Sequence, residues 1–230
     1  RDLGYSTGYC KPVGQQFLSV DGLMADKDAV LFSKVIGFDI NPNLHSPVIL
    51  GPGATSSYLE NPPNYHFRER IKYANDNLGS TCDIVVFEGT GHPGVGSIVD
   101  LSNADVARLL NAGVVMIVEG GIGNTIDRLS LSLALFREQS VPVIGVIVNK
   151  VLPEKIERIQ YFLQKKLDQL DIPLLGILPY DQILSFPIMA SIRRAVNGKV
   201  ILNEDKMGNP VADILAGSLV DLDEFRAFEN

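Results

Sequence analysis

The chain has 230 residues, long enough for one substantial core or for one domain with an appendage, and its 46% hydrophobic and 20% charged residues exclude a disordered protein. A formal net charge of −7 without a basic tract argues against sequence-independent binding to nucleic acid, and no apolar stretch is long enough to cross a bilayer. Two cysteines, Cys10 and Cys82, are too few for a disulfide framework and are typical of free thiols in a reducing cytoplasm.

Short apolar runs alternate with helical patterns along the chain. The predicted strands are continuous in hydrophobicity, as strands buried on both faces of a parallel sheet should be; in chain order they are Thr7–Cys10, Ile84–Phe87, Val114–Val118, Val143–Val148 and Leu174–Leu178. The predicted helices are Asp26–Ile36, Phe67–Asn77, Asn103–Leu110, Thr125–Glu138 and Pro153–Leu170. The alternation predicts an α/β fold with a mostly parallel, doubly wound sheet and helices on both faces.

Three segments depart from this alternation. Asn41–Asn64 is rich in Pro, Gly, Ser and Asn and predicts a long loop over the site, which is a candidate lid or interface segment. The alternation weakens from Ala190 onward, so we expect a nucleotide-binding domain at residues 1–195 and the start of a small C-terminal domain or extension at 196–230. Arg1–Tyr5 resembles a helix end with a glycine cap, and we therefore expect a strand, a loop and a helix upstream.

Lys11 and Asp28 are the first candidate site residues. Lys11 follows the first predicted strand, and ligands of an open α/β sheet bind at the carboxyl ends of its strands. Its charge suits a phosphate or a carboxylate, and Pro12 and Gly14 predict a shaped loop after it; the alternative is a solvated surface lysine. Asp28 opens a predicted helix together with Asp26, and the spacing alone favours a capping role for either residue over contact with Mg²⁺.

Glu88 begins a glycine-rich stretch directly after the apolar strand Ile84–Phe87. A charge at this position is costly unless it faces a crevice, a metal ion or a partner. Gly89 and Gly91 let the backbone approach a ligand closely and leave N–H groups for an oxyanion. His92 is either a proton donor or a solvated side chain with a local hydrogen bond.

The ends of the later strands carry a second group of polar residues. Glu119 precedes the glycine-rich stretch Gly120–Gly123. Asn149 and Lys150 end the strand that follows, where the Asn amide offers a donor and an acceptor to a purine ring, or simply forms a turn. Pro179 would form a wall for the same base. Together these positions predict a nucleotide-phosphate site, although no G-x-x-x-x-G-K-[ST] stretch occurs in the 230 residues.

Taken together, the candidate site residues and the sequences around them resemble the dethiobiotin synthetase-like branch of the P-loop NTPases. This branch includes the synthetase domain of cobyrinic acid a,c-diamide synthase. The resemblance covers roughly residues 1–190. The matching stretches are Tyr9–Val13, Lys27–Ala29, Phe87–Gly91, Val148–Val151 and Gly176–Pro179. A subgroup found alone or in front of phosphotransacetylase-type modules is similar also through Gly89–Ser97 and Leu101–Ala104. In the family the P-loop lies upstream of the first matched strand, so we expect the first strand and the P-loop to be missing from these residues.

The resemblance implies roles for individual residues. Lys11 would contact phosphate and the reacting carboxyl or carbamate group, and Asp28 and Glu88 would hold Mg²⁺, so that Lys11 and Glu88 are the candidate catalytic residues. Asn149 would recognise adenine. The candidate nucleotide-binding residues are Asn149, Lys150, Pro179, Gly89 and Thr90, and the candidate substrate-binding residues are Gly91 and His92.

The function implied by the resemblance is that of an ATP- and Mg²⁺-dependent carbon–nitrogen ligase. Such an enzyme phosphorylates a small-molecule carboxylate or carbamate before an amide or ring forms. One alternative is a non-catalytic nucleotide-binding sensor that regulates a partner or an appended domain, and another is a structural scaffold. The joint occurrence of Lys11, Asp28, Glu88 and Asn149 favours a ligand-binding protein. The resemblance also implies a homodimer with the substrate site near its interface.

Overall fold

The computed structural model describes residues 1–212. Residues 1–178 form one compact unit, and the described residues from 179 onward belong to a second. The strands are β1 (Thr7–Cys10), β2 (Val13–Gly14), β3 (Phe17–Val20), β4 (Leu23–Asp26), β5 (Val48–Ile49), β6 (Ile84–Phe87), β7 (Val114–Glu119), β8 (Val143–Val151) and β9 (Leu174–Pro179). The helices are α1 (Lys27–Ile36), α2 (Pro42–His45), α3 (Ala54–Glu60), α4 (Phe67–Gly79), α5 (Asn103–Leu109), α6 (Gly123–Glu138), α7 (Ile156–Gln169) and α8 (Met189–Ala195).

The strand pairing is mostly parallel. β1 pairs with β6, β2 with β5 and β7 with β8 in parallel, and β8 also pairs with β9. Only the β3–β4 hairpin is described as an antiparallel strand pair within residues 1–178. The predicted α/β class with mostly parallel pairing is therefore confirmed. All five predicted strands and all five predicted helices are present within a few residues of their expected bounds.

The second unit is described up to residue 212. It contains α8, and an isolated antiparallel bridge joins Ile188 to Pro210. The predicted C-terminal segment at 196–230 therefore falls partly outside the described residues, because 213–230 are not among them. In the described part of the chain, no helix combines the length and apolar character needed to cross a membrane.

The prediction of a long loop at Asn41–Asn64 is wrong. The segment contains α2, β5, α3 and a short 3₁₀ turn. Asn41 caps α2, because its side chain accepts a hydrogen bond from the N–H of Asn43, and Pro42 occupies the first helical position. Val48 of β5 is fully buried in a core that also contains residues of α4 and α5. Packing of these few apolar side chains overrides the loop-like composition.

The larger unit contains four clusters of buried apolar residues, and two of them are much larger than the rest. One packs α6 and α7 against β8 and contains Leu129, Leu133, Val146, Val148, Ile159, Leu163 and Leu167. The other lies under α4 and α5 and contains Val13, Val48, Leu50, Phe67, Ile71, Val99, Leu101 and Val106. The candidate site lies at the carboxyl ends of β1 and β6, next to a small cluster that contains Cys10 and has Phe87 packed against it.

The expectation that every predicted strand is buried on both faces is wrong for β6, β7 and β9. Leu175 and Leu178 of β9 are exposed. Ile84 and Val86 of β6 are exposed, and so are Val115 and Ile117 of β7, the last to 66%. The reason is that α4 packs on one face of β6 and α6 on one face of β7. Within residues 1–212, β1 is the only strand paired with β6 and β8 the only one paired with β7, so each has one open edge.

Both cysteines are free. Cys10 is buried in β1, and burial raises the pKa of its thiol. The thiol therefore stays uncharged and is a poor nucleophile. Cys82 is half-buried between α4 and β6.

Candidate active site

Lys11 follows β1 directly and lies at the centre of the candidate site. Only 6% of the residue is exposed. Its Nζ is 3.4 Å from Oδ1 of Asp26 and 3.5 Å from Oε1 of Glu88, and it donates a hydrogen bond to Oδ2 of Asp28. We call these four residues the lysine–carboxylate cluster. With one ammonium among three carboxylates, the cluster carries excess negative charge that attracts a further cation.

The protonation state of Lys11 follows from the cluster. Burial lowers the pKa of Lys11, but the hydrogen bond with Asp28 and the charges of Glu88 and Asp26 raise it more. The net pKa lies above the ordinary value for lysine. The side chain is therefore a cation at neutral pH and acts as a fixed positive charge, not as a base.

Asp26 and Asp28 have different roles at the start of α1. Asp26 is 1% exposed and is the N-cap of the helix, because its Oδ1 accepts a hydrogen bond from the N–H of Asp28 at 3.0 Å. The Asp28 side chain is left free to contact Lys11, and 45% of it is exposed. The capping alternative thus applies to Asp26 and not to Asp28. Sequence reasoning did not place Asp26 in the site, although two acids at a helix start were visible.

Glu88 reaches the cluster from the strand beside β1. Cys10 lies opposite Phe87 in the parallel register of β1 and β6. Lys11 and Glu88 are the next residues of the two neighbouring strands and therefore lie side by side. The Glu88 N–H donates to the Cys10 carbonyl at 2.8 Å, and its Oε2 accepts a hydrogen bond from the Tyr9 hydroxyl at 2.5 Å. Burial, this hydrogen bond and the Glu88 charge raise the pKa of Tyr9, so the phenol stays protonated and fixes the Glu88 carboxylate. Sequence reasoning missed Tyr9 as a site residue because it lies within an apolar strand.

Asn103, the first residue of α5, holds the glycine-rich loop that follows β6. Its Oδ1 accepts from the N–H of Thr90 at 3.2 Å, and its Nδ2 donates to the carbonyls of Thr90 and His92, both at 2.9 Å. The Thr90 hydroxyl donates to the Val13 carbonyl at 2.6 Å. The side chain and N–H of Thr90 are therefore both used in shaping the loop. Asn103 is a second residue that the sequence analysis left out of the site.

The glycines of this loop keep backbone donors free. Gly91 has a φ of 62°, a conformation that favours glycine. Among the described residues, the N–H groups of Gly89 and Gly91 have no hydrogen-bond acceptor. His92 is exposed and its Nδ1 accepts from the N–H of Gly94 at 3.2 Å, so its observed contact is the local one. The loop thus offers free N–H groups that suit an anion.

Asn149 and Lys150 lie near the carboxyl end of β8. The Oδ1 of Asn149 accepts a hydrogen bond from the N–H of Lys150 at 2.9 Å, and the Lys150 φ is 58°. Lys150 also donates from Nζ to Oε1 of Glu119 at 3.0 Å, and this hydrogen bond lowers the pKa of Glu119. No described hydrogen bond or ion pair joins Asn149 to the lysine–carboxylate cluster. Pro179 is the exposed last residue of β9.

An open cleft of about 750 Å³ separates the loop after β6 from β7 and α6. Gly91 and His92 line one side, and Glu119, Thr125 and Arg128 line the other. The cleft therefore brings the candidate substrate residues close to the strand end that carries the Glu119–Lys150 ion pair. The lysine–carboxylate cluster lies outside its described lining.

The carboxylates of the cluster suit Mg²⁺, which takes oxygen ligands and usually binds one or two carboxylates together with phosphate oxygens. The side chains of Asp28 and Glu88 are 45% and 34% exposed, so their oxygens are accessible. Residues 1–212 contain no group of three or more His, Cys, Asp or Glu side chains arranged to hold a metal ion by themselves. The donor set therefore fits a cation shared with a bound phosphate.

Comparison with known proteins identifies the family. A family model described as an AAA domain, AAA_26, matches residues 1–187. The chain is 28% identical over 149 residues to a phosphate acetyltransferase of Synechocystis sp. The matched region is 62% of this chain and 21% of that protein. It is 25% identical over 224 residues to a probable cobyric acid synthase of Methanococcus vannielii. The matched region is 85% of this chain and 44% of that protein.

A further relative is the ATP-dependent dethiobiotin synthetase of Nitrosospira multiformis, which is 32% identical over 118 residues, or 50% of each chain. The chain therefore spans half or less of the length of these three relatives. Their names confirm the resemblance to dethiobiotin synthetase-like and cobyrinic acid synthase-like P-loop proteins. Because the family match covers well over half of its residues, the chain belongs to the AAA_26 family of AAA domains.

Proposed function

We propose that this chain belongs to an ATP- and Mg²⁺-dependent carbon–nitrogen ligase that activates a carboxylate or carbamate by phosphorylation. One observation carries the proposal: a buried, charged Lys11 lies beside two partly exposed carboxylates where β1 and β6 end. The dethiobiotin synthetase and cobyric acid synthase relatives support the reaction class.

In this proposal the protein positions the reacting groups and stabilises the negative charge of the transferred phosphoryl group. When bound, ATP supplies the phosphoryl group and Mg²⁺ offsets its negative charge. Asp28 and Glu88 would hold the metal ion, while Lys11 directs its ammonium towards the oxygens of the transferred group. Tyr9 keeps the Glu88 carboxylate in one orientation through its hydrogen bond. None of these residues needs to change its protonation state.

The remaining site residues receive binding roles. We assign Asn149, Lys150 and Pro179 to the nucleotide together with Gly89 and Thr90, and we assign Gly91 and His92 to the carboxylate substrate. The free N–H groups of Gly89 and Gly91 support contact with anionic groups. The free amide nitrogen of Asn149 supports contact with a base, since its Oδ1 is the atom used locally.

Calorimetric titration of the full-length protein with ATP and Mg²⁺ tests the proposal. We expect Lys11→Ala to weaken binding by at least about tenfold, because the charge that faces the phosphate is lost. Glu88→Gln should weaken the Mg²⁺-dependent part of binding. Lys72→Ala is the matched control, since Lys72 is an exposed lysine of α4. Binding that is absent in the unmodified full-length protein, or equal in Lys11→Ala and Lys72→Ala, would contradict the proposal.

A nucleotide-binding regulatory module is the second candidate function. The observation that favours it is the match to a phosphate acetyltransferase, of which this chain covers only 21%. Assays of ADP release across a panel of carboxylates, with ATP and Mg²⁺ present, separate the two functions. Release that depends on both a carboxylate and Lys11 supports the ligase, whereas tight ATP binding without any release supports the regulatory module.

We also propose that the protein forms a homodimer and acts in the cytoplasm. The resemblance to the family supports the dimer, and the two free cysteines fit a reducing compartment. Sedimentation velocity at several protein concentrations tests the assembly. A single species of monomer mass throughout would rule out the dimer.

A further inference from the structure

We propose that His45 and Ser46, at the end of α2, are positioning residues for the lysine–carboxylate cluster, which they hold through the backbones of Lys11 and Asp26. This inference rests on the function proposed above for the cluster. Neither residue belongs to the cluster itself. Both lie in the segment that the sequence alone predicts to be a loop.

Ser46 holds Asp26. The Ser46 Oγ accepts a hydrogen bond from the N–H of Asp26 at 2.8 Å, and both residues are almost completely buried. Asp26 in turn caps α1 and stands 3.4 Å from the Lys11 ammonium. The hydroxyl group therefore fixes the residue that sets both the start of α1 and one negative charge of the cluster. Its removal leaves a buried N–H without an acceptor.

His45 holds Lys11. Its carbonyl accepts a hydrogen bond from the N–H of Lys11 at 2.9 Å. Its ring stabilises the single turn of α2, because Nδ1 accepts from the N–H of Asn41 at 2.8 Å and the imidazole packs on Phe38 with the ring centroids 4.6 Å apart. Nδ1 accepts a hydrogen bond only when it carries no proton. The neutral ring is therefore the form that keeps the turn closed.

Because the ring must be neutral, the hydrogen bond from the Asn41 N–H to His45 Nδ1 is sensitive to pH. Burial lowers the pKa of His45 below its usual value of 6.5. When the turn is open, the exposed His45 ring takes up a proton as the pH falls below 6.5. The buried ring of the closed turn takes up a proton only at a lower pH. The stabilisation is thus complete above the usual pKa and is lost as the pH falls towards the lowered value.

The surroundings of the ring contain no other described polar contact. The elements packed against α2 are α4, β4 and β1. The charged and titratable residues on or beside these elements and Phe38 are Tyr9, Cys10, Lys11, Asp26, Asp39, Arg68, Glu69, Arg70, Lys72, Tyr73 and Asp76. Among residues 1–212, none of their side chains makes a hydrogen bond or ion pair with the imidazole.

Hydrogen exchange of the backbone amides tests the inference without any ligand. In Ser46→Ala we expect the Asp26 amide to exchange about tenfold faster, and in His45→Ala the Lys11 amide should do so. Ser46→Thr keeps the hydroxyl and should restore slow exchange at Asp26. Asn43→Ala, on the exposed side of the same helical turn, is the matched control and should leave both amides unchanged. Unchanged exchange in Ser46→Ala and His45→Ala would overturn the inference.

Titrations with ATP and Mg²⁺ between about pH 5.5 and 8 provide a second test, because a merely structural role predicts no change in the pH profile. The unmodified full-length protein should lose affinity only below pH 6.5, as the pH falls towards the lowered pKa of His45. In His45→Asn the side-chain Oδ1 lies as many bonds from Cα as Nδ1 does, so the acceptor is kept but cannot be protonated. We expect a flatter profile for this variant, whereas equal profiles would overturn the pH-dependent role. Protonation of ATP affects both proteins equally.

The two tests also separate this inference from the proposed function. Loss of slow exchange in the variants, together with an unmodified full-length protein that does not bind ATP, would leave the positioning of Lys11 and Asp26 intact and overturn the proposed function. Binding of ATP that requires Lys11 but survives unchanged in Ser46→Ala and His45→Ala would overturn the positioning role alone.

Discussion

Gly14 allows Asp26 to reach both α1 and Lys11. A Cβ atom at Gly14 would lie 2.7 Å from the Cβ of Asp26, a distance at which one of the two backbones must shift. We expect Gly14→Ala to lower the free energy of unfolding by about 1–3 kcal/mol, as overpacking of a core does. Urea unfolding measures the change.

Gly176→Ala is the control for this substitution. Gly176 also lies in a strand, and a Cβ added there meets no atom within 4 Å. Its replacement should change the free energy of unfolding by less than about 1 kcal/mol, and in the stabilising direction. Equal losses in the two variants would show that the approach of Asp26 to Gly14 is not the cause.

At the residue scale, the sequence predicted the charged members of the site that follow strands. Lys11 and Glu88 stood out because each follows an apolar run, where a charge costs free energy unless it faces a crevice, a metal ion or a partner. Asp26 and Ser46 could not be found in this way, because their hydrogen bond joins residues from β4 and from the segment after α2. Such a contact depends on the tertiary fold and leaves no periodic signal along the chain.

At the element scale, long apolar runs gave reliable predictions and short elements did not. The β3–β4 hairpin was missed although its turn is Asp21-Gly22, and both residues have positive φ values of 50° and 80°. Asp-Gly between apolar runs is a strong hairpin signal, and here it marks the turn correctly. β2 and β5 have two residues each, too few for any hydrophobic pattern. Their pairing is set by the core beneath them.

α5 is the element that holds the glycine-rich loop, and Asn103 is the residue through which it does so. We expect Asn103→Ala to lower the free energy of unfolding by about 1–3 kcal/mol, because the N–H of Thr90 loses its acceptor. Amide exchange at Thr90 should become faster at the same time. Asn77→Ala, which removes one local contact to Tyr73 within α4, should have a smaller effect and leave the loop unchanged.

Exchange at Thr90 that is equally slow in both Asn variants would contradict this assignment. It would mean that the loop keeps its conformation through the Thr90 hydroxyl and the Val13 carbonyl alone. Unfolding in urea and amide exchange together distinguish loss of loop order from loss of global stability.

At the scale of the whole molecule, burial divides the apolar residues into those that stabilise the fold and those that do not. Leu133 of α6 lies in the core with 2% of its surface exposed, whereas Ile117 of β7 lies on the uncovered face. We expect Leu133→Ala to cost about 2–5 kcal/mol of unfolding free energy. Ile117→Ala should change it by less than about 0.5 kcal/mol.

Thermal and urea unfolding of these two variants measure the difference. A large loss in Ile117→Ala would mean that this face is covered in solution. The hydrophobic pattern of β6 and β7 predicted burial on both faces because every residue in these runs is apolar. Only the arrangement of the helices shows which face is covered, and no periodicity in the sequence distinguishes the two.

The open edges of β6 and β7 have a consequence for handling the protein. Backbone groups alternate in direction along a strand, so the N–H groups of Val85 and Phe87 point away from β1 and lie beside exposed Val86. An unpaired, apolar strand edge is a template on which a strand of another molecule can add. A polypeptide limited to residues 1–212 should therefore be prone to aggregation in concentrated solution by strand addition at these two edges.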